Sequence, residues 1–266
     1  AAQLRASGVN PVVEADLATT TWHEPLAGRF DAVLNCVSAS GGGYDAYHHA
    51  YVATQESILR WAERHPPRWY GFTSSTGVYG QTAGEIVSEA DADADRASDN
   101  GTILLAAEHV SARIGALCEG WQVARLAGIY GPGRHYLMDS LIERKGVVPG
   151  TGEYLVNLCH RDDIAAGLSA MMARPEAGLS GIYNLSDGAA STKAEIAAWL
   201  CQRLGLPGPV FNPGTPAARS ARRRAPGGAM PNRHVSNAKL RAAFGWSPQY
   251  ADFREGYEAI IAGKGL

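Results

Sequence analysis

The sequence is poor in the features that mark metal clusters, membranes or nucleic-acid partners. Four cysteines, Cys36, Cys118, Cys159 and Cys201, lie far apart in 266 residues with no Cys-x-x-Cys pair, which argues against a zinc cluster or a disulfide framework. No apolar run approaches the roughly 20 residues of a membrane-spanning helix. Neither charge dominates: 24 Lys and Arg stand against 26 Asp and Glu, so there is no basic field for nucleic acid and no acidic tail. The opening residues, AAQLRASGVN, contain neither an initiating Met nor a signal peptide. These absences predict a cytoplasmic protein with reduced thiols and no nucleic-acid or membrane partner. Hydrophobic residues make up 45% of the chain, and a chain of this length can bury roughly three-quarters of its unfolded surface.

Strand-like and helix-like segments alternate, the rhythm of a largely parallel sheet with helices on both faces. The segment 11–17 reads as a short strand, and 30–37 as a buried one ending at Gly41, Gly42 and Gly43. Helical spacing follows from Tyr51 to His65 and stops at Pro66-Pro67. Trp69 to Thr73 is the next strand, the acidic run 88–95 a solvated loop, 103–117 a helix and 122–126 a strand. Gly128 to Gly133 reads as a tight loop. Tyr183-Asn184 lies in a late strand, and Thr192 with Glu195 has capping-box spacing for a helix through Leu204. The stretch 207–230 reads as irregular, with room for a short strand at Val210-Phe211. We divide the chain into a core over 1–150 and a mixed region over 151–266 that returns to the core.

Five segments, in this order, resemble the extended short-chain dehydrogenase/reductase family, which includes nucleotide-sugar epimerases and dehydratases. Thr73-Ser74-Ser75-Thr76-Gly77-Val78-Tyr79-Gly80 is similar to its Ser-Ser-x-x-Val-Tyr-Gly segment. Arg125 through Tyr130-Gly131-Pro132-Gly133 resembles its Arg-x-x-x-x-Tyr-Gly-Pro-Gly loop. His160-Arg161-Asp162-Asp163 resembles its His-x-Asp-Asp segment, and Tyr183-Asn184 its Tyr-Asn strand. Ser236-Asn237-Ala238-Lys239, then Phe244-Gly245-Trp246-Ser247-Pro248, resembles its C-terminal pattern. The resemblance implies a Rossmann-like, doubly wound α/β fold in which 1–150 is a truncated nucleotide-binding core and 151–266 forms a small C-terminal substrate lobe. It also implies NAD or NADP as cofactor and a small-molecule substrate, with a homodimer left open.

Two departures from the family pattern shape the functional expectation. The Gly-x-x-Gly-x-x-Gly loop that cradles the cofactor pyrophosphate is not in these residues. By the resemblance, 12–17 matches the family's third strand, which implies that the chain lacks an N-terminal β-α-β segment; the strand at Val33 is then expected to lack a partner on one side unless another chain or a rearranged sheet fills the gap. The family's Tyr-x-x-x-Lys pair is also replaced: registering on Glu108 puts Asn100 at the Tyr position and Leu104 at the Lys position. Asn transfers no proton and Leu carries no charge, so a general acid/base contribution of roughly 10²–10⁴-fold is lost.

The resemblance further implies cofactor contacts at Asp16 and Leu17, at Cys36, Val37 and Ser38, and at Thr73. Ser75 falls where the family's substrate-orienting hydroxyl lies, and Ser75 with Asn100 forms the candidate catalytic pair. Ser75 at a strand end could equally satisfy local backbone groups. Tyr79, Tyr130, Arg134 and Arg222 are candidate substrate contacts; tyrosines beside glycines also pack loops, and the arginines of 219–224 also suit a solvated loop. Asp162 and Asp163 read as N-cap residues. Adjacent histidines such as His48-His49 do not converge as helical metal ligands do, so no metal is expected. The expectation is an atypical NAD(P)-dependent epimerase/dehydratase-like oxidoreductase acting on a polar substrate of nucleotide-sugar type without the Tyr/Lys relay. Two alternatives stand beside it: a non-catalytic binding or regulatory protein on the same fold, and a hydrolase-like activity in which His135 or His160 activates Ser75.

Overall fold

A computed structural model describes residues 1–39, 43–214 and 230–264. In chain order they form α1 (Ala2–Ala6), β1 (Ala32–Asn35), α2 (Tyr44–His48), α3 (Thr54–Ala62), β2 (Trp69–Ser75), β3 (Glu85–Val87), α4 (Asp99–Gly115), β4 (Gly120–Leu126), β5 (Gly128–Tyr130) and α5 (Tyr136–Glu143). Then follow β6 (Val147–Pro149), β7 (Leu155–Val156), β8 (Leu158–His160), α6 (Arg161–Met172), β9 (Gly181–Leu185), β10 (Ser191–Thr192), α7 (Lys193–Arg203), β11 (Val210–Asn212), β12 (Arg233–Val235), α8 (Ala238–Phe244) and α9 (Phe253–Lys264). A π-helical turn, His49–Ala53, joins α2 to α3. The main sheet has the order β1-β2-β4-β9, and β1 pairs with β2 in parallel, Ala32 opposite Trp69 and Asn35 opposite Phe72. A helix-bearing crossover precedes each return to the sheet, which is the expected α/β, Rossmann-like winding.

Two compact units divide the chain. The first comprises 1–73, 103–123 and 174–181. Its core forms because α4 places Ile103, Leu104, Ala107, Val110 and Ile114 at helical spacing on one face, all buried, while β2 is buried along nearly its whole length. Three buried polar contacts tie it together: Gln55 Nε2 donates to Ser111 Oγ at 2.8 Å, the Tyr70 hydroxyl donates to Gln55, and the Trp69 indole donates to Gln122. Trp22 is also buried, its ring 5.8 Å from that of Trp61 on α3. The strand β1 is the terminal strand of the sheet, its far side unpaired among the described residues, and Leu34 on it is 39% exposed. The one-sided pairing matches the expectation for Val33; the full burial expected of 30–37 does not hold, since β1 is covered only in part.

The second unit comprises 74–102, 124–173 and 182–266. Its apolar centre gathers Tyr130, Met138, Leu141, Val148, Ile196, Leu200, Phe253, Tyr257 and Ile260 from α5, α7, α9 and neighbouring strands. β11 pairs with β6 in parallel, so the short strand at Val210-Phe211 forms. β5 pairs with β8, so part of the segment expected as a loop is a strand, and only Gly131 to Arg134 turns tightly.

Two further readings are corrected. The segment 11–17 makes no strand, because a strand exists only through pairing and its groups bond locally: the Leu17 carbonyl accepts from the Trp22 indole at 3.1 Å. The N-cap of α6 is His160, whose Nδ1 accepts from Asp162 N at 3.3 Å. Asp163 is instead buried, its carboxylate accepting Gln249 N at 2.6 Å and Tyr250 N at 3.2 Å, a tie to a segment 86 residues away.

Candidate functional site

The carboxyl ends of β1 and β2 bring Cys36 to Ser38 and Thr73 together in the first unit, whereas Asp16 and Leu17 lie on no strand. Asn35 ends β1 buried, and its Oδ1 accepts Val37 N at 3.0 Å, turning the chain so that Cys36 and Ser38 are exposed and Val37 half-buried. Thr73 near the end of β2 donates from Oγ1 to Asn35 O at 3.3 Å, locking the two strand ends together. Asn35 Nδ2 is buried with no hydrogen-bond partner among the described residues, a donor suited to an acceptor arriving from outside. Asp16 is exposed. Its carboxylate accepts Ala18 N at 3.0 Å and lies 3.0 Å from His49 Nε2, and these contacts, the Ala18 amide foremost, hold it below the usual carboxylate range. Leu17 is half-buried beside it.

In the second unit, Ser75 lies half-buried at the end of β2. Its Oγ accepts Gly77 N at 3.1 Å and caps the 3-10 turn Thr76–Val78, which leaves the hydroxyl proton free to be donated. The first turn of α4 packs onto that turn so tightly that a Cβ on Gly101 would lie 2.8 Å from the Gly77 carbonyl oxygen. Ser75 and Asn100 thus belong to two touching turns. Asn100 is half-buried, and its carboxamide has no hydrogen bond among the described residues. Ser98 Oγ accepts Gly101 N at 3.2 Å and fixes the helix start. One turn further on, in the first unit, Leu104 is 4% exposed, a site where a lysine ammonium would be stripped of water.

The other candidate tyrosines are committed to packing. Tyr79 is 1% exposed, accepts from Arg125 Nη1 at 2.9 Å and donates to Asn184 Oδ1 at 2.7 Å. Arg125 also donates to Glu89 O, and Glu89 accepts Asn184 N, closing a buried network. Tyr130 is 2% exposed and donates to Asp252 O at 3.3 Å. Burial pushes both phenols above their ordinary value, so neither is tuned to stand in for a proton-transferring tyrosine. Arg134 is exposed, donating to Ile129 O at 3.3 Å with its guanidinium over the Tyr136 ring. Arg222 lies outside the described residues, as do Gly41 and Gly42.

The hydrolase reading needs a Ser75–histidine bond, and the geometry provides none among the described residues. His135 Nδ1 pairs with Asp139 at 2.7 Å, and His160 Nδ1 caps α6. Sequence reasoning also missed a buried acid. Asp187 follows β9 in a Ser-Asp-Gly turn, accepts Ala189 N at 2.9 Å with Oδ1, and leaves Oδ2 without a partner among the described residues. Burial raises its pKa to about 7. A Ser-Asp-Gly triplet signals a turn, and nothing local signals burial beneath segments distant in sequence.

The chain was compared with known proteins. Protein YeeZ of Escherichia coli K12 is 29% identical over 172 residues, 65% of this chain, and the match spans only 58% of that relative's length. A functionally unknown conserved protein from Silicibacter pomeroyi DSS has a similar structure, with 26% identity, a TM-score of 0.71, and coverage of 98% of this chain and 86% of that one. MoeE5, solved with UDP-glucuronic acid and NAD, has a TM-score of 0.78 at 20% identity, covering 100% of this chain and 94% of its own; at that identity the likeness speaks for the fold. The family model described as NAD dependent epimerase/dehydratase matches residues 1–186. With the ordered motifs, the β1-β2-β4-β9 sheet and this match over most of its length, the chain belongs to the NAD-dependent epimerase/dehydratase family.

Proposed function

We propose that the chain is an atypical NAD(P)-dependent oxidoreductase of the epimerase/dehydratase kind, cytoplasmic, acting on a small polar substrate of nucleotide-sugar class by hydrogen-bond polarisation in place of a Tyr/Lys proton relay. The observation that carries this reading is the pairing of the Ser75 turn with the Asn100 turn at the carboxyl end of β2, two polar side chains with unspent hydrogen-bonding capacity. MoeE5, of similar fold, was solved with UDP-glucuronic acid and NAD, which supports the substrate class. Residues of the first unit suit the adenosine part of the cofactor: the Asp16 carboxylate, the Cys36 to Ser38 segment that follows β1, and the orphan Asn35 amide. The bound cofactor would supply hydride acceptance and donation.

Ser75 would donate its hydroxyl proton in a hydrogen bond to a substrate oxygen, its own lone pair held by Gly77 N. Asn100 would orient a neighbouring hydroxyl or carbonyl without accepting its proton. A reaction so arranged runs slower than one with the relay by roughly 10²–10⁴-fold, unless the substrate itself supplies the base. Replacement of the pair at Asn100 and Leu104 equally suits a protein that binds the nucleotide and does not turn over. Titration of NAD(H) and NADP(H) against thermal stability tests the cofactor; ligand at 100 times its Kd raises stability by about 2.7 kcal/mol. No shift at millimolar nucleotide would sink the cofactor assignment, and binding without turnover of any nucleotide sugar would favour the binding protein.

A further inference from the structure

A groove of about 540 Å³ opens in the first unit. Its walls are the segment leading into β1, with His23 and Glu24, and the end of α3 leading into β2, with Arg60, Arg64 and His65. Both walls run into the amino ends of parallel strands. The groove therefore lies at the opposite end of β1 and β2 from Cys36 to Ser38 and Thr73.

Arg60 lies in the last turn of α3 and Arg64 in the turn just beyond its C-cap, and both line the groove. Neither guanidinium makes an ion pair or hydrogen bond among the described residues, whereas their neighbours do: Arg113 pairs with Glu56 at 2.9 Å and Arg68 with Glu119 at 2.7 Å. The histidines present donors of defined tautomer. His65 Nδ1 accepts Gly28 N at 3.3 Å, which puts the His65 proton on Nε2. Ser57 spends its hydroxyl proton on Thr19 O at 2.6 Å, so His23 Nε2, 3.1 Å from Ser57 Oγ, must be the donor in that pair. The floor is rigid: Trp61 is buried and its indole donates to Leu26 O at 3.1 Å. Glu24 is the one carboxylate in the lining. Against the two guanidinium charges stand that carboxylate and the roughly half negative charge at the end of α3, so the groove remains cationic.

We propose that this groove binds a phosphate-class oxyanion, either free phosphate or the phosphate monoester end of a small metabolite, bridged by Arg60 and Arg64 with His65 Nε2–H as a third donor. Guanidinium forks match such oxygens, and the charge-assisted bonds they form are the strong ones. The space exceeds that of a bare ion and leaves room for a small ester. The site is independent of the cofactor reading and stands if that reading fails.

Calorimetric titration of the whole chain with inorganic phosphate and with glycerol 3-phosphate, in about 0.15 M sodium chloride to screen unspecific attraction, tests the proposal. Saturable binding is expected, weakened at least about tenfold, or 1.4 kcal/mol, in Arg60→Gln/Arg64→Gln. Arg113→Gln, which removes one charge from the same unit, should leave it unchanged. Tighter binding of glycerol 3-phosphate assigns the ester, and equal or weaker binding assigns the free ion. Both positions are exposed, and circular dichroism verifies that the double variant is folded. Absence of saturation by either probe at tens of millimolar, or equal affinity in the double variant, overturns the site.

Discussion

Asp187 shows how one buried group sets a pH dependence. Its carboxyl is 7% exposed, and burial lifts its pKa from 3.8 to about 7. An acid whose folded pKa is raised keeps its proton in the folded state while the unfolded chain ionises. The stability that follows is whole below about pH 4 and is lost progressively as pH rises through 7, by about 4 kcal/mol in all. Asp187→Asn keeps the oxygen that accepts Ala189 N and cannot ionise. It should therefore flatten that loss, with denaturant melts at pH 5 and pH 8 differing less than in the parent and the variant the more stable at pH 8. A parent-like difference between the two pH values would refute the assignment. Tyr79→Phe acts by another route. It removes an acceptor from the buried Arg125 and a donor from the buried Asn184, and should cost about 2–3 kcal/mol, read as a lower midpoint in urea.

At the scale of elements, the start of α4 and the edge strand β1 make opposite demands. Alanine normally favours a helix over glycine by about 1 kcal/mol. At position 101, however, the added Cβ would meet the Gly77 carbonyl oxygen at 2.8 Å and Ala97 Cβ at 3.0 Å. Overpacking of about 1–3 kcal/mol should win, so Gly101→Ala is expected to lower the melting temperature and to loosen the Ser75 turn. A melting temperature equal to or above the parent's would show that the contact yields freely. β1 bonds to one neighbour only, so alternate amides along it should exchange with deuterated solvent at least about a hundredfold faster than those of β2. Exchange as slow as in β2 would mean that something covers that edge.

The elements that could be read from the sequence are those whose cause is local. Trp69, Tyr70, Phe72 and Thr73 mark β2 with β-favouring residues, and Thr192 Oγ1 accepts Glu195 N at 3.1 Å as the capping spacing predicts. Ser75, Asn100 and Leu104 stand out only through ordered motifs, and Ser75 and Asn100 lie on turns that touch. What escaped depends on distant partners. The segment 11–17 has strand composition and no strand to pair with. Asp163 looked like a cap and instead holds Gln249 and Tyr250. Tyr79 looked like a cleft residue, because its partners at 89, 125 and 184 cannot be seen from positions beside it.

At the scale of the whole molecule, the two units are interleaved along the chain, the first drawing on 1–73, 103–123 and 174–181. Its last segment is short but bonded: Ser180 Oγ accepts Trp121 N at 3.1 Å, and Leu179 O accepts Gln122 Nε2 at 3.0 Å. A chain ending at residue 173 should therefore fail to unfold cooperatively, seen as a broad, shallow melt by circular dichroism. On a ribosome the same arrangement becomes a matter of time. Residue 181 is made 108 residues after residue 73, roughly 5–20 s later at ordinary elongation rates. Once Leu126 has been made, the edge of β4 that pairs with β9 waits through the rest of that interval for sequence not yet synthesised, and a chaperone that holds nascent chains would find its client there.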